Sequence, residues 1–323
     1  MYKLSDITKL HIEITSKCQA SCPMCARNIQ GGKVSPWLEL TEITFDQFKE
    51  WFSKDFLKQL LVVSLCGNTG DPIIASDTLE ILKWIRQVNP DIKLNMNTNG
   101  SARTLAWWKD LASVNVTVMF GIDGSADTHK LYRIGTDYHR ILRNATEFIN
   151  AGGQAEWHML VFEHNQHEIE ACRILSEKLK FKKFVVKHSA RFRNNNLVVL
   201  HPAGSYTINP SGRSKEIQKK INILQNSTNI SCKVKKEGNI YISANGNVTA
   251  CCWLDFSGMA PTSELYADYV SRDFMTPSLL NTNLSEIFES NYFNKIEKLW
   301  SNDPLKTCSK QCGEIDKFNE QFK

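Results

Sequence analysis

Three cysteines within eight residues, Cys18, Cys22 and Cys25, are the strongest constraint in the sequence. They follow an alternating apolar run at residues 10–15 that is typical of a β-strand. Iron–sulfur cubes and zinc sites usually take four protein ligands. Three thiols at C-x₃-C-x₂-C spacing therefore predict a metal centre with one coordination position left open. The alternative is a structural zinc site whose fourth ligand lies elsewhere in the chain.

Six strand-like runs alternate with helical patterns over the first two thirds of the chain. Alternation of this kind is typical of right-handed crossovers and predicts a parallel sheet. Six units are too few for a closed eight-stranded barrel, so we expect a partial (β/α)6 barrel of the α/β class. The predicted strands cover residues 10–15, 61–65, 92–96, 116–122, 154–162 and 184–187. The helical signals are a capping box at Thr44, a start at Asp77, and patterns over 103–113, 137–151 and 166–180.

Glycine and polar residues follow the ends of several predicted strands. Residues 67–71 follow the second strand, residues 97–100 the third, and Asp123 the fourth. In parallel α/β proteins the active site lies at the carboxyl ends of the strands. These segments and the three cysteines therefore predict one shared site.

The cysteine motif after a first strand resembles the cluster motif of the radical S-adenosylmethionine (radical SAM) enzymes. The resemblance implies a [4Fe-4S] cluster on Cys18, Cys22 and Cys25, whose remaining iron binds S-adenosylmethionine. In that family, one electron cleaves the cofactor into methionine and a 5′-deoxyadenosyl radical, which abstracts a hydrogen atom from the substrate. The resemblance thus implies an oxidoreductase that receives electrons from a flavodoxin- or ferredoxin-type donor.

The same resemblance assigns roles to residues around the cluster. Met24 occupies the position near the adenine that is often aromatic, and residues 67–71 replace the family's Gly-Gly-Glu-type segment, with Asp71 as the expected acceptor for the methionine amino group. Arg133 is expected to pair with the cofactor carboxylate. The alternative for residues 67–71 is a plain turn, and the alternative for Arg133 is a surface arginine without a cofactor contact. The expected cofactor-binding residues are Met24, Gly67, Asn68, Gly70, Asp71, Asn97, Asp123 and Arg133.

Two further departures and one open question concern neighbouring positions. Gln19 replaces a common Asn, and Gly121 replaces a small polar residue that contacts the cofactor ribose in the family. His11 and Glu13 share one face of the first strand. They are expected either to line the barrel interior or to be structural polar groups.

The last third of the chain carries a second group of cysteines. Cys232, Cys251, Cys308 and Cys312, with a hairpin turn at Asn245-Gly246, resemble the auxiliary-cluster extension of many radical SAM enzymes. The resemblance is to the shorter twitch form. This part of the chain has five cysteines, the fifth being Cys252, and these cannot supply the roughly seven or eight thiolates of two further cubes. The alternative is a four-cysteine structural zinc site.

Cysteines that are not expected to bind a cluster could serve as hydrogen-atom donors. Adjacent strand residues face opposite sides, so we expect only one of Cys251 and Cys252 to bind the cluster. The spacing of Cys251 from Gly246, which resembles that extension, favours Cys251 as the ligand and leaves Cys252 near the site. Cys66 ends the second strand beside the proposed cofactor. We therefore predict catalytic roles for Cys66 and Cys252, whereas Cys172 falls in a helical pattern and is expected to be core.

The expected organisation is a barrel at residues 1–193, loops or a linker at 194–231, and a small α+β twitch-like or SPASM-like domain at 232–323. A net charge of +5 is too small to indicate nucleic-acid binding. The first ten residues lack an apolar signal-peptide core, and no apolar run is long enough to span a membrane. Because the ten cysteines then indicate reduced thiols or metal, we expect a cytoplasmic protein.

The resemblance leaves the substrate open. Asp123-Gly124, His129 and Tyr132-Arg133 resemble a segment of the peptide-modifying branch, so we expect oxidation, crosslinking or epimerisation of a peptide or protein. The first predicted strand begins near residue 10, so we expect such a peptide to bind directly or through a separate carrier. The alternatives are a dehydrogenase acting on an aminosugar- or alcohol-like small molecule and a non-catalytic, zinc-stabilised binding protein.

Overall fold

The structure, a computed structural model, describes residues 3–189, 191–192, 196–200, 204–224 and 229–313. Six strands follow one another across a sheet, and each pairs in parallel with the next. The prediction of a parallel α/β partial barrel is therefore confirmed. The strands are β1 (Lys9–Ile12), β2 (Val62–Leu65), β3 (Lys93–Thr98), β4 (Val116–Gly121), β5 (Gln154–Val161) and β6 (Lys183–His188).

Helices on the outside of the sheet connect these strands. They are α1 (Phe45–Trp51), α2 (Lys54–Gln59), α3 (Thr78–Val88), α4 (Leu105–Ala112), α5 (Ala126–Tyr132), α6 (Tyr138–Asn150) and α7 (Ile169–Lys178). The capping box of Thr44 and Gln47 begins α1 as predicted. Ser53 accepts a hydrogen bond from Phe56 N at 3.1 Å and begins α2 as a separate helix.

Alternating side chains give the sheet two different faces. On β5, Trp157 and Met159 are fully buried against the helices, whereas Glu156 and His158 face the barrel interior and are half-buried. Trp108, Phe120 and Phe148 pack together between sheet and helices. The apolar core thus lies outside the barrel wall, which leaves a polar interior.

Residues 194–231 contain regular structure, so their prediction as loops was wrong. They form β7 (Leu197–Val199), β8 (Tyr206–Ile208) and α8 (Gly212–Leu224). Ser211, within this predicted loop region, accepts a hydrogen bond from Ser214 N at 3.3 Å where α8 begins. The strands are only three residues long, and the helix has few apolar residues, so neither gives a clear periodic signal. The predicted loop residues 194–195 and 201–203 lie outside the described residues.

The predicted hairpin adds two strands to the barrel sheet. Its strands β9 (Asn239–Ile242) and β10 (Val248–Thr249) are antiparallel, and β9 pairs in parallel with β1. The turn contains Gly246 at φ +78°, a conformation that favours glycine. The remaining helices are α9 (Lys233–Lys236), α10 (Glu264–Ser271), α11 (Leu284–Glu289), α12 (Tyr292–Leu299) and α13 (Lys306–Cys312). The domain boundaries stay predictions, but β1 has a partner strand on each side.

The entry into β9 depends on a close backbone approach at Gly238. Its carbonyl accepts hydrogen bonds from Thr8 N and Lys9 N, at 2.9 and 3.0 Å, and its φ is +59°. A Cβ at this position would lie 2.4 Å from the Asp6 carbonyl oxygen. Gly152 offers a matched control, because its φ is also positive but nothing lies within 4 Å of its Cβ position.

We expect Gly238→Ala to lower the free energy of unfolding by about 1–3 kcal/mol more than Gly152→Ala, because only the first substitution adds a steric overlap. Urea unfolding of the two variants beside the wild type measures the difference. Equal losses would show that β9 does not depend on this contact.

Candidate active site and metal centres

The three cysteines of the first motif lie in the loop that leaves β1 at its carboxyl end. All three are free and half-buried, and Cys25 N donates to the Cys22 carbonyl at 3.0 Å. Burial raises the pKa of each thiol, for Cys25 to about 11. Such thiols become thiolates when a metal binds them, so this donor set fits an iron–sulfur cluster. In the described part of the chain, no three His, Cys, Asp or Glu side chains converge as the ligands of a single metal ion do.

Asn99, at the end of β3, reaches the first cysteine. Its Nδ2 lies 3.6 Å from Cys18 Sγ, and Ala20 N donates to the same sulfur at 3.3 Å. Its Oδ1 accepts from Gln19 Nε2 at 2.7 Å, so the residue that replaces the family's common Asn helps to orient this amide. The sequence had suggested Asn97 instead, which faces the barrel interior two residues earlier.

The loop after β2 is held against the cysteine loop by Glu13. Its carboxylate accepts hydrogen bonds from Asn68 N, from Thr69 N at 3.3 Å and from Thr69 Oγ1 at 3.0 Å. Cys25 Sγ in turn lies 3.3 Å from the Asn68 carbonyl oxygen. Burial is the main cause that raises the pKa of Glu13 to about 7. Glu13 is therefore a buried structural group, one of the two roles considered for it.

The glycines of this loop leave no room for a side chain. A Cβ on Gly67 would lie 1.5 Å from the Gly70 carbonyl oxygen, and one on Gly70 would lie 1.9 Å from that of Thr15. The backbone is therefore compact where the cofactor is predicted to bind, and glycine is the residue that permits this close approach.

Asp71 joins this loop to the end of β3. Its Oδ1 accepts from Thr98 Oγ1 at 2.8 Å and from Ile73 N at 3.2 Å. Its Oδ2 accepts from Asn99 N at 2.7 Å and from Asn99 Nδ2 at 2.6 Å. Four donors fill the acceptor positions of a carboxylate. The geometry therefore supports a positioning role for Asp71 and leaves no acceptor for the amino group we had assigned to it.

Asp123 and Arg133 form a buried ion pair at the end of β4. Arg133 Nε donates to Asp123 Oδ2 at 2.6 Å, and Leu160 N donates to Asp123 Oδ1 at 2.7 Å. Burial lowers the pKa of Arg133, but the charges of Asp123 and Cys22 outweigh it and raise the value overall. The arginine side chain is only 21% exposed, and its Nη1 lies 4.0 Å from Cys22 Sγ. It is thus no ordinary surface arginine.

The arginine also explains why the chain has glycine at position 121. A Cβ there would lie 2.7 Å from Arg133 Nη2, so the guanidinium takes the space of a larger residue. His129 supports the same corner, because its Nδ1 accepts from Asp123 N at 3.1 Å and its Nε2 lies 3.0 Å from Thr136 Oγ1.

Met24 lies between the Asp123–Arg133 pair and the chain that follows β6. Ser189 Oγ donates to Met24 Sδ at 3.3 Å, and Arg191 Nη1 donates to the Met24 carbonyl at 3.4 Å. The side chain packs beside the buried rings of Tyr132 and Phe162. Its contact with an adenine stays a prediction.

Cys66 and Cys252 share one environment near Glu13. Burial is the main cause that raises their pKa values, to about 12 and about 11, and the Glu13 charge acts on both. Asn68 Nδ2 donates to the Cys252 carbonyl at 3.2 Å, which ties this segment to the loop after β2. Both thiols therefore lie beside the candidate site, whereas Cys172 is 4% exposed within α7.

The second group of cysteines lines a separate small cavity. Its walls include the four predicted ligands Cys232, Cys251, Cys308 and Cys312, but not Cys252. Cys232 and Cys312 lie close enough to interact, and this interaction raises the pKa of the Cys232 thiol and lowers that of the Cys312 thiol. The other walls are largely apolar, and they include Leu254, Ile296 and Trp300. Four thiols on one apolar cavity are a donor set that fits a cluster with no open iron.

Several residues of the two sites were missed by sequence reasoning. Asn99 lies in the predicted segment 97–100 but was not singled out, and Trp300 carries no motif signal. Tyr241 and Asp255 form a buried hydrogen bond of 3.0 Å beside Glu13, which lies far away in the sequence. A polar cavity of about 630 Å³ lies at the opposite, amino end of the strands, and its lining includes Asn95, Glu156 and His158.

No helix in the described ranges is long and apolar enough to cross a membrane.

Family models match both parts of the chain. The model of the radical SAM superfamily matches residues 12–174, and the SPASM model, described as an iron–sulfur cluster-binding domain, matches residues 232–313. No curated protein matches the chain.

Solved structures share the fold at low sequence identity. Streptococcus suis SuiB bound to its precursor peptide SuiA has a TM-score of 0.52 and 14% identity over 94% of this chain and 67% of its own. Histidine-tagged anSMEcpe with bound AdoMet has a TM-score of 0.60 and 16% identity over 91% and 80%. Native anSMEcpe with AdoMet and the Cp18Cys peptide has a TM-score of 0.59 and 15% identity over 93% and 87%.

We expect Asn99→Ala to lower iron binding by the first motif or cofactor cleavage by about tenfold, because Cys18 and Asp71 each lose the donor Asn99 Nδ2. Iron content and 5′-deoxyadenosine formation with dithionite measure the effect. Asn95→Ala is the control, since this side chain bonds to Ser64 at 3.4 Å and touches neither loop. Equal behaviour of the two variants would contradict the role of Asn99.

His129 predicts a loss of stability in acid. Burial lowers its pKa from 6.5 to about 4, so below pH 6.5 the unfolded chain binds a proton that the folded chain excludes. Its contribution is therefore present above pH 6.5 and falls by about 2 kcal/mol at pH 5. Between pH 7.5 and 5, we expect the free energy of unfolding of His129→Asn to fall by about 2 kcal/mol less than that of the wild type. An unchanged pH dependence between pH 7.5 and 5 would contradict the buried neutral imidazole.

Proposed function

The chain belongs to the radical SAM superfamily, and we propose that it is an oxidoreductase that modifies a peptide or protein. The cofactors of this family are S-adenosylmethionine and a [4Fe-4S] cluster, and the SPASM match adds auxiliary iron–sulfur binding. When bound, these groups supply electron transfer and hydrogen-atom abstraction from the substrate.

The observation that carries this proposal is the separation of the thiols into two sets. Three thiols lie at the carboxyl ends of the strands, beside the backbone carbonyl of Asn68 and the guanidinium of Arg133. Four others line one enclosed cavity. We assign the first set to the cluster that binds S-adenosylmethionine and the second to a single auxiliary cluster that accepts an electron from the substrate. A flavodoxin- or ferredoxin-type protein is the proposed electron donor.

The chain's own residues would bind and orient the cofactor. Asp123 uses Arg133 Nε, which leaves the terminal guanidinium nitrogens for the cofactor carboxylate. The carbonyls of the compact loop around Gly67 and Gly70 are the proposed acceptors for the amino group, since Asp71 is already filled. The apolar cluster around Met24 would exclude water from the adenine side.

A peptide substrate is supported by two of the similar folds. SuiB was solved with its precursor peptide SuiA, and anSMEcpe with the Cp18Cys peptide. The Asp123–Arg133 pair also keeps the segment whose sequence resembles the peptide-modifying branch next to the cysteine loop. Transfer of deuterium from labelled candidate peptides into 5′-deoxyadenosine would identify the substrate, and transfer only from small aminosugars or alcohols would overturn the peptide assignment.

A second outcome, redox-neutral epimerisation, is favoured by one observation. Cys66 and Cys252 are unpaired thiols beside the site and do not belong to either ligand set. Such a thiol could return a hydrogen atom to the substrate. Oxidation would need no such donor, so the two outcomes differ in their dependence on these residues.

We expect the anaerobically reconstituted protein to contain about eight irons per chain, and Cys22→Ala and Cys308→Ala each to retain about four. Cys22→Ala should no longer form 5′-deoxyadenosine from S-adenosylmethionine and a reductant, because it lacks a ligand of the open cluster. Cys308→Ala should still form it. Zinc at about two ions per chain without iron would contradict the enzyme proposal and indicate a zinc-stabilised binding protein.

If the reaction is an oxidation, Cys66→Ala and Cys252→Ala should both give product without deuterium from heavy-water solvent. In an epimerisation, one of the two variants should form no epimerised product, and the wild-type protein should incorporate deuterium from the solvent into its product. Mass spectrometry of the substrate identified above separates these results. Cys172→Ala is the control, because its thiol lies within α7.

A further inference from the structure

A tryptophan side chain reaches the auxiliary cavity with an unsatisfied donor. The indole Nε1–H of Trp300 is buried, and among the described residues it makes no hydrogen bond of normal geometry. The ring lines the same cavity as the four cysteines. A buried N–H without an acceptor is costly, so in a native protein it usually meets a partner or a bound group.

Cys308, one of the four cysteines of the ligand set, lines the same cavity as the indole ring. An N–H donor favours negative charge on a sulfur that accepts its hydrogen bond. A cluster bound by these cysteines would place thiolate and sulfide sulfurs in the same space, and both accept hydrogen bonds.

The indole ring also lies beside a lysine of α9 that pairs with a glutamate of α12. Lys235 Nζ lies 5.7 Å from the centre of the indole ring and 2.7 Å from Glu297 Oε2. Trp300 directly follows α12, and its N donates to the Glu297 carbonyl at 3.1 Å. The indole is therefore held between α9 and α12 and does not need a cluster to orient it.

We propose that Trp300 tunes the auxiliary cluster by donating its indole N–H to a cluster sulfur. This inference rests on the proposed function, because it requires a cluster on the second set of cysteines. Reduction adds one negative charge to the cluster, and an N–H donor at sulfur stabilises the more negative state. Trp300 is thus a positioning residue that raises the reduction potential and makes this cluster a better electron acceptor, as an oxidation requires.

The test is Trp300→Phe, which keeps an aromatic ring in the cavity and removes only the donor. The cluster is isolated in the whole chain by Cys18→Ala, Cys22→Ala and Cys25→Ala, and its midpoint potential is measured by redox titration with electron paramagnetic resonance. We expect a more negative potential, with about a tenfold lower equilibrium constant for one-electron reduction, or about 59 mV. Iron content should stay at about four per chain.

Trp84→Phe is the matched control. Its indole nitrogen is also buried without a partner, but it lies on α3, away from the second cysteine set. The potential of this variant should equal that of the parent. An unchanged potential in Trp300→Phe at full iron content would overturn the inference and leave the proposed function intact. Loss of the auxiliary irons in Trp300→Phe would also overturn it, because the ring would then serve assembly. Absence of an auxiliary cluster in the parent would overturn the proposed function itself.

Discussion

Three buried carboxylates at the ends of neighbouring strands hold the candidate site together. Glu13 follows β1 and binds the loop after β2, while Asp71 in that loop binds the end of β3. Asp123 follows β4 and binds Leu160 N on β5 and the side chain of Arg133. Each carboxylate accepts donors from the next segment across the sheet. The two groups of loops meet at the cysteine loop, because Asn99 reaches Cys18 and Arg133 reaches Cys22. Removing one of them would leave several buried donors without partners.

This arrangement divides the polar residues by task. Asp71, Asp123 and Glu13 have acceptor positions filled by protein donors, so they position other groups. The groups left to meet a cofactor are the three thiols, the compact backbone near Gly67 and the outer nitrogens of Arg133. The auxiliary part is coupled to the same frame, because β9 extends the sheet beyond β1 and Asn68 contacts Cys252.

Local signals predicted much of this structure. Periodicity gave the six parallel strands, turn chemistry gave the hairpin at Gly246, and spacing separated Cys251 from Cys252. Other features depend on contacts between distant segments. The parallel pairing of β9 with β1 joins residues about 230 positions apart, and nothing local indicates it. The choice of Asn99 over Asn97 depends on how far β3 extends, and the filled carboxylate of Asp71 is visible only in three dimensions.

The central claim is that one of two iron–sulfur clusters has an iron without a protein ligand, and that this iron binds S-adenosylmethionine. Mössbauer spectroscopy of the ⁵⁷Fe-loaded protein, before and after adding S-adenosylmethionine, tests it most directly. The account predicts that about one iron in eight changes its isomer shift when the cofactor is added. No change in any iron, in a protein that carries both clusters, would contradict it.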